Sequence, residues 1–393
     1  MAMKWYPYGH DFGNSESCDV LIKNGKQLKA NTPTAFVRVD PQTMRNVGVD
    51  LDTDPTSDQG TTSHLIIQLD NEPFAYAFGH LALAQGVTVW SGRGDDDRYT
   101  SRYNIRAILA LSSQLIPDKE YGLYIVGGLP ADIYMKNAEL RKEIKQSLDG
   151  LYRFSMDDGK TWRTCAIEVA NVVMEGAGAL LAYNRNGQTI PKDADAAIID
   201  IGGGTTDLYA QHGPVPLTEY CKSARIAVET AANVLCSAFE RKYRPMAEYE
   251  ARAILHAYSS TTKKKPYPKL SANGKEISPE EQEALVKPIL IQVGEDIASF
   301  VAATWRPSGG ASRFNPVVLI GGGHYYFADV MKKKIPHLEF AEDPSNANAL
   351  GYATLASKLL LRKQQQTKAS AVAEGATPTP TSVGETVGSH GQE

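Results

Sequence analysis

The chain has 393 residues, 42% of them hydrophobic and 22% charged, and a formal net charge of −4. That length exceeds one compact core, so two domains are expected, and the small negative charge excludes a global attraction to nucleic acid. Cys18, Cys165, Cys221 and Cys236 form no C-x-x-C pair and no apolar stretch reaches the length of a membrane span, so the sequence predicts a cytoplasmic protein with free thiols.

The first half reads as short strands and turns. "DVLIKNG" predicts a strand with a hairpin turn and "TAFVRVD" a second strand. Residues 41–62 are polar and turn-rich, like an insertion, before "SHLIIQLDNEPFAYAFG" returns to strand character. "YTSRYNIRAILALSSQLI" spaces Ile105, Ile108, Leu109 and Leu115 near a helical period, and "YGLYIVGGLP" is a buried strand stopped by glycines and Pro130. In the second half, "AAIIDIGGGTTDLYA" runs a strand into three glycines, after which Val228, Ala231, Leu235 and Phe239 share one helical face. A lysine- and proline-bearing excursion follows. Leu285, Ile289, Val293, Ile297 and Phe300 mark a further helix, and "NPVVLIGGGHYYFADVMKKK" is a second strand–glycine–helix unit. The final stretch from "KQQQTKAS" is poor in large apolar groups and predicts a disordered tail.

Three loops at strand ends carry chemistry. They are "GHDFGNSES", with Asp11, Gly13 and Asn14; "IIDIGGGTTD", with Asp200, Gly202 to Gly204 and Thr205; and "VVLIGGGH", with Gly321 to Gly323. Consecutive glycines remove every Cβ from a loop, so its N–H groups can approach a phosphate. Two aspartate hairpins in the two halves suggest an internal duplication facing a cleft. A nucleoside triphosphate there would receive N–H donors from both hairpins, and Asp11 and Asp200 would face its Mg²⁺ through water. Neither a Walker loop nor a Rossmann fingerprint fits, because the second glycine loop runs into the strand-like "TTDLYA". Asp207 is expected to brace its hairpin, Asp132 to cap a helix, and His10 to be structural.

Together these motifs resemble the actin, heat-shock chaperone and sugar kinase superfamily of ATPases, over residues 8 to 360 or so. "YIVGGLPADIY" and "EDPSNANALGYATLA" are similar to segments of bacterial and archaeal actin-like proteins of the ParM type. The resemblance implies an α/β actin-like ATPase fold of two duplicated ribonuclease H-like domains facing a nucleotide cleft, each with an inserted subdomain. The first domain would take residues 1–195, with an insertion near 41–75, and the second 196–349, with an insertion at about 222–290. A helix at about 350–364 would pack back on the first, and 365–393 would be the tail.

The resemblance also implies ATP, or alternatively GTP, hydrolysed with Mg²⁺ to drive polymerisation into dynamic filaments. These would segregate plasmid DNA through a DNA-binding adaptor, with no direct nucleic-acid contact and no membrane. Carried over residue by residue, Asp11 and Asp200 are metal-proximal and catalytic, and Glu175 orients the hydrolytic water. Gly13, Asn14, Gly202, Gly203, Gly204 and Thr205 cradle phosphate, and Glu229, Gly322 and Gly323 flank the adenosine. One departure stands out: many relatives place a lysine shortly after the first aspartate, where this chain reads Ser15, Glu16, Ser17, Cys18. Lys222 and Arg225 are the replacements considered. A non-polymerising regulatory or scaffold ATPase is the alternative function, with a small-molecule kinase behind it.

Overall fold

The computed structural model describes residues 3–13, 15–40, 65–84, 96–157, 159–185, 188–191, 193–258 and 268–375. Its larger sheet is built from β1 (Trp5–Asp11), β2 (Glu16–Lys23), β3 (Lys26–Pro33), β4 (Phe36–Val39), β5 (Leu65–Leu69), β6 (Ala75–Phe78), β7 (Glu120–Leu129), β8 (Gly150–Ser155) and β9 (Trp162–Met174), in the order β3-β2-β1-β7-β9-β8-β5-β6-β4. A small hairpin, β10 (Asn184–Arg185) and β11 (Gln188–Thr189), leads to the second sheet. That sheet holds β12 (Asp195–Ile201), β13 (Thr206–His212), β14 (Val215–Pro216), β15 (Lys222–Ala224), β18 (Val317–Ile320) and β19 (Leu338–Phe340), while β16 (Leu270–Ala272) and β17 (Lys275–Ile277) pair apart from it.

The two sheets repeat one plan. In the first, β1 pairs antiparallel with β2 and parallel with β7, which pairs parallel with β9. In the second, β12 pairs antiparallel with β13 and parallel with β18, which pairs parallel with β19. Parallel neighbours need crossover connections, so helices cover the faces and the central strands read as nearly unbroken apolar runs. In β7 every residue from Tyr121 to Leu129 is buried, and in β12 every residue from Ala196 to Ile201. The α/β duplication expected from the two aspartate hairpins is therefore present.

Each sheet has its own core, and a third apolar cluster joins them. Tyr8, Leu21, Ile108, Leu123 and Ile167 belong to the first core, and Ile199, Leu235, Ile297, Trp305 and Leu319 to the second. Met174, Leu180, Ile198, Tyr209 and Ile320 form the joint. Helical spacing translates directly into burial: Val228, Ala231, Leu235 and Phe239 of the helix Val228–Lys242 are all buried. In the helix Pro279–Trp305, Ile289, Val293 and Ile297 are buried, while Leu285 and Phe300 pack partly exposed at its flanks. That helix starts where Ser278 and Glu281 cap each other's backbone N–H, with proline in its first turn.

Two stretches differ from expectation. Within the span assigned to an insertion at 41–75, residues 41–64 lie outside the described residues, but β5 joins the sheet and buries Leu65, Ile67 and Leu69 in the first core. The tail expected from 365 is corrected as far as 375: the helix Ala347–Gly375 continues through it. Lys, Gln, Ala and Glu are good helix formers, and no glycine interrupts them before Gly375. Its start packs on the first sheet, with Ala349 and Ala353 against Cys18 and Val20, and Tyr352 against Val126. Residues 376–393 lie outside the described residues. Among the described residues no helix is long and apolar enough to cross a membrane.

Candidate functional site

The two hairpins have the same register. Asp11 pairs with Cys18 across β1 and β2, and Asp200 with Asp207 across β12 and β13. Each aspartate thus stands at the mouth of a loop of the same length. The first loop is anchored by Thr34, whose Oγ1 donates to the Gly13 carbonyl at 2.8 Å and whose N–H donates to the Ser15 carbonyl at 2.9 Å. In the second, the Gly202 N–H donates to the Thr205 carbonyl at 2.9 Å. The loops touch: a Cβ on Gly203 would lie 1.7 Å from Ser15 Oγ, so only glycine permits this approach. The Gly203 carbonyl accepts from the Glu229 N–H at 2.8 Å, which seats the helix Val228–Lys242 behind the loop. Gly204 is half-buried beside it, and Asn14 lies outside the described residues.

The third loop closes over the second. Gly321 has φ +84°, and a Cβ there would stand 2.3 Å from Asp200 Oδ1. The Gly323 N–H donates to the Ile201 carbonyl at 2.7 Å, whereas Gly322 faces open space. From the joint comes Asn348, at the start of the last long helix. Its Nδ2 donates to Asp200 Oδ2 at 2.6 Å, and its Oδ1 accepts from the Gly176 N–H at 3.0 Å. Glu175 is held one residue earlier, with its N–H donating to the Leu129 carbonyl at 2.8 Å.

Asp11, Glu175, Asp200 and Asp207 therefore converge. Burial first, then the other carboxylates, lifts Glu175 and Asp200 well above the ordinary acid range. Burial also pushes Asp11 up to about 6, against the pull of His10 and Arg98. Asp207 is raised by burial while Ser223 and Thr205 hydrogen-bond to its charged form. Ser223 in turn bonds Asp132, its N–H donating to Oδ1 at 3.2 Å. Such mutual elevation marks a cluster short of positive charge. No three His, Cys, Asp or Glu side chains among the described residues stand close enough to chelate a metal.

These geometries bring together Asp11, Gly13, Glu175, Asp200, Gly202, Gly203, Gly204, Thr205, Glu229 and Gly323. Lys222 and Arg225 are exposed. Gly321, named with the third glycine triplet, also joins them, and so do three residues that no motif marked: Asn348, which lies in the quoted segment "SNANALGYATLA", and the two arginines Arg98 and Arg252.

Residues 10–178 match the family model for the N-terminal domain of actin-like proteins. An archaeal actin homolog, Ta0583, superposes with a TM-score of 0.69 over 91% of this chain and 100% of its own, at 20% identity. The chain has the actin-like fold. The subunit of a 15-stranded ParM filament from Clostridium botulinum matches with a TM-score of 0.70 over 91% of the actin-like chain and 100% of that subunit, at 19% identity. The actin-like protein Alp7A gives 0.68 over 94% and 100%, at 16% identity. No curated protein sequence matches. At these identities the likeness establishes the actin-like architecture, with the hairpin loops lying between its two halves.

Proposed function

We propose that this chain binds Mg-ATP between its two hairpins, hydrolyses it, and polymerises into filaments whose turnover follows the nucleotide, serving DNA segregation through a separate adaptor. The observation that carries this reading is the pair of equal-length aspartate hairpins meeting at Ser15 and Gly203, with Glu175 in the field of the aspartates of both. Support comes also from the Ta0583 homolog, whose structure with ADP has a TM-score of 0.66 to this chain at 19% identity, and from the ParM filament subunit.

The residues fit the cofactor. Asp11 and Asp200 are buried, mutually repelling carboxylates, suited to an Mg²⁺ held through water. When bound, Mg²⁺ neutralises charge on the phosphates. Gly13, Gly202, Gly203, Gly204 and Thr205 leave backbone room for the phosphate chain, and Glu229, Gly322 and Gly323 line the adenosine side. Glu175, its pKa lifted by burial, takes the role of the base that orients and deprotonates the attacking water. ATP closing the cleft selects a subunit shape that adds to a filament end, and hydrolysis releases it. Calorimetric titration with Mg-ATP tests the site: the wild type binds, and Asp200→Ala loses binding. Normal affinity in Asp200→Ala would overturn the assignment.

A further inference from the structure

The acidic cleft has no lysine after Asp11, yet a triphosphate entering it needs cationic partners beyond one metal ion. Two guanidinium groups approach the hairpins, one from each half. Arg98 lies in the turn Asp96–Thr100, ahead of the helix Arg102–Leu115. Its backbone is pinned by Asn104, whose Nδ2 donates to the carbonyls of Arg98 at 2.6 Å and Tyr99 at 3.0 Å. Its guanidinium rests 4.4 Å from the Tyr99 ring centre and donates to the Tyr99 hydroxyl. Tyr99 meets Phe12 of the first loop edge-on, with centroids 5.9 Å apart. Arg98 Nη1 is buried and has no partner among the described residues. The charges within its field are Asp11, Glu175 and Asp207.

Arg252 arrives from the opposite half, on the helix Glu248–Ala257. Its Nη1 donates to Ser15 Oγ of the first half at 2.7 Å and its Nε to Glu248 Oε1 at 2.8 Å, while Nη2 is buried without a partner among the described residues. It also faces Tyr326, beside the third glycine loop. A buried guanidinium nitrogen lacking an acceptor is uncommon in a folded protein and points to a missing anion. Arg98 stands in the field of Asp11, Glu175 and Asp207, and Arg252 at Ser15 of the first loop, so both unpartnered nitrogens lie beside the hairpins.

We propose that Arg98 and Arg252 replace the absent lysine as phosphate ligands: Arg98 binds the terminal phosphate beside Glu175, and Arg252 binds a phosphate nearer the nucleoside. The inference rests on the nucleotide reading above and adds a division of labour to it. Arg98 is preorganised where negative charge rests on the transferred group, so it acts on ATP and on the transition state. Arg252, tied to Ser15, acts on ATP and ADP alike and couples nucleotide binding to the meeting of the two halves. A planar fork of donors suits both tasks better than a lysine ammonium.

Titration of fluorescent ATP and ADP analogues with Mg²⁺, together with phosphate release, tests the pair. Arg98→Ala is expected to lower kcat by about 100-fold and to weaken ATP while leaving ADP affinity unchanged. Arg252→Ala is expected to weaken both nucleotides by about 10- to 100-fold. Equal loss of ATP and ADP in Arg98→Ala, or unchanged affinity for both in Arg252→Ala, would overturn the proposal. Arg98→Lys, which keeps the charge and the stem over Tyr99, carries the same test should the alanine variant not fold: a wild-type kcat there contradicts the terminal-phosphate role. Failure of the wild type to bind either nucleotide would instead remove the reading on which the proposal rests.

Discussion

Glu175 shows how one side chain concentrates the chemistry. It is buried, fixed through its own N–H to Leu129, and repelled by three neighbouring aspartates. On the proposed reading, replacing it by alanine removes the group that orients water but none of the loops proposed to hold phosphate. Phosphate release should slow by about 10²-fold or more, with nucleotide binding retained; unchanged turnover would take Glu175 out of the mechanism. The same cluster sets a pH dependence. Asp11 ionises at about 6 in the fold rather than 3.8, so the native state binds more protons than the unfolded chain. Stability is then fully present below about pH 4 and is lost as pH rises through the folded value, on the order of 2–3 kcal/mol from this group. Nucleotide-free protein should melt lower at pH 8 than at pH 5.5, and Asp11→Asn should melt higher than wild type at pH 8. A wild-type Tm that climbs over this interval would contradict that account. Asp11, Asp200 and the glycines of the candidate site were legible because they stand in local patterns that state their backbone requirement, whereas Glu175 is named only through the family resemblance. Arg98, Arg252 and Asn348 were not legible, because they reach the site from elements remote in sequence and carry no such pattern.

At the scale of elements, periodicity was the reliable signal. Val228, Ala231, Leu235 and Phe239 read as one face because that face meets the second sheet. Composition was the weaker signal. Residues 365–375 lack large apolar groups, yet they extend a helix already nucleated by its packing on the first sheet, where adding each residue costs little. Strand β5 was harder to place because its pairing partners, β6 and β8, cannot be read from local sequence. The helix Pro279–Trp305 offers a direct test of local design. Ser278 Oγ accepts from the Glu281 N–H at 3.3 Å, and Glu281 Oε2 accepts from the Ser278 N–H at 3.1 Å. Ser278→Ala should cost about 1 kcal/mol in chemical denaturation. An unchanged midpoint would mean that tertiary packing alone sets where this helix begins.

At the scale of the whole molecule, two sheets of one plan share an apolar joint and face each other through their hairpin loops. Duplication was legible in the sequence because the aspartate–glycine pattern recurs. The bonds between the halves were not: Lys29 to Asp343 at 2.7 Å and Arg252 to Ser15. These bonds and the joint cluster hold the two halves against each other beside the hairpin loops. In the proposed assembly, a subunit whose shape depends on its nucleotide favours or disfavours a neighbour.

Right-angle light scattering of the purified protein on addition of Mg-ATP, with phosphate release followed in the same sample and pelleted material viewed by electron microscopy, tests this most directly. Scattering should rise as filaments form and decay as phosphate is released. Phosphate release with no rise over a wide range of protein concentration would contradict polymerisation and leave a nucleotide hydrolase that acts without forming filaments.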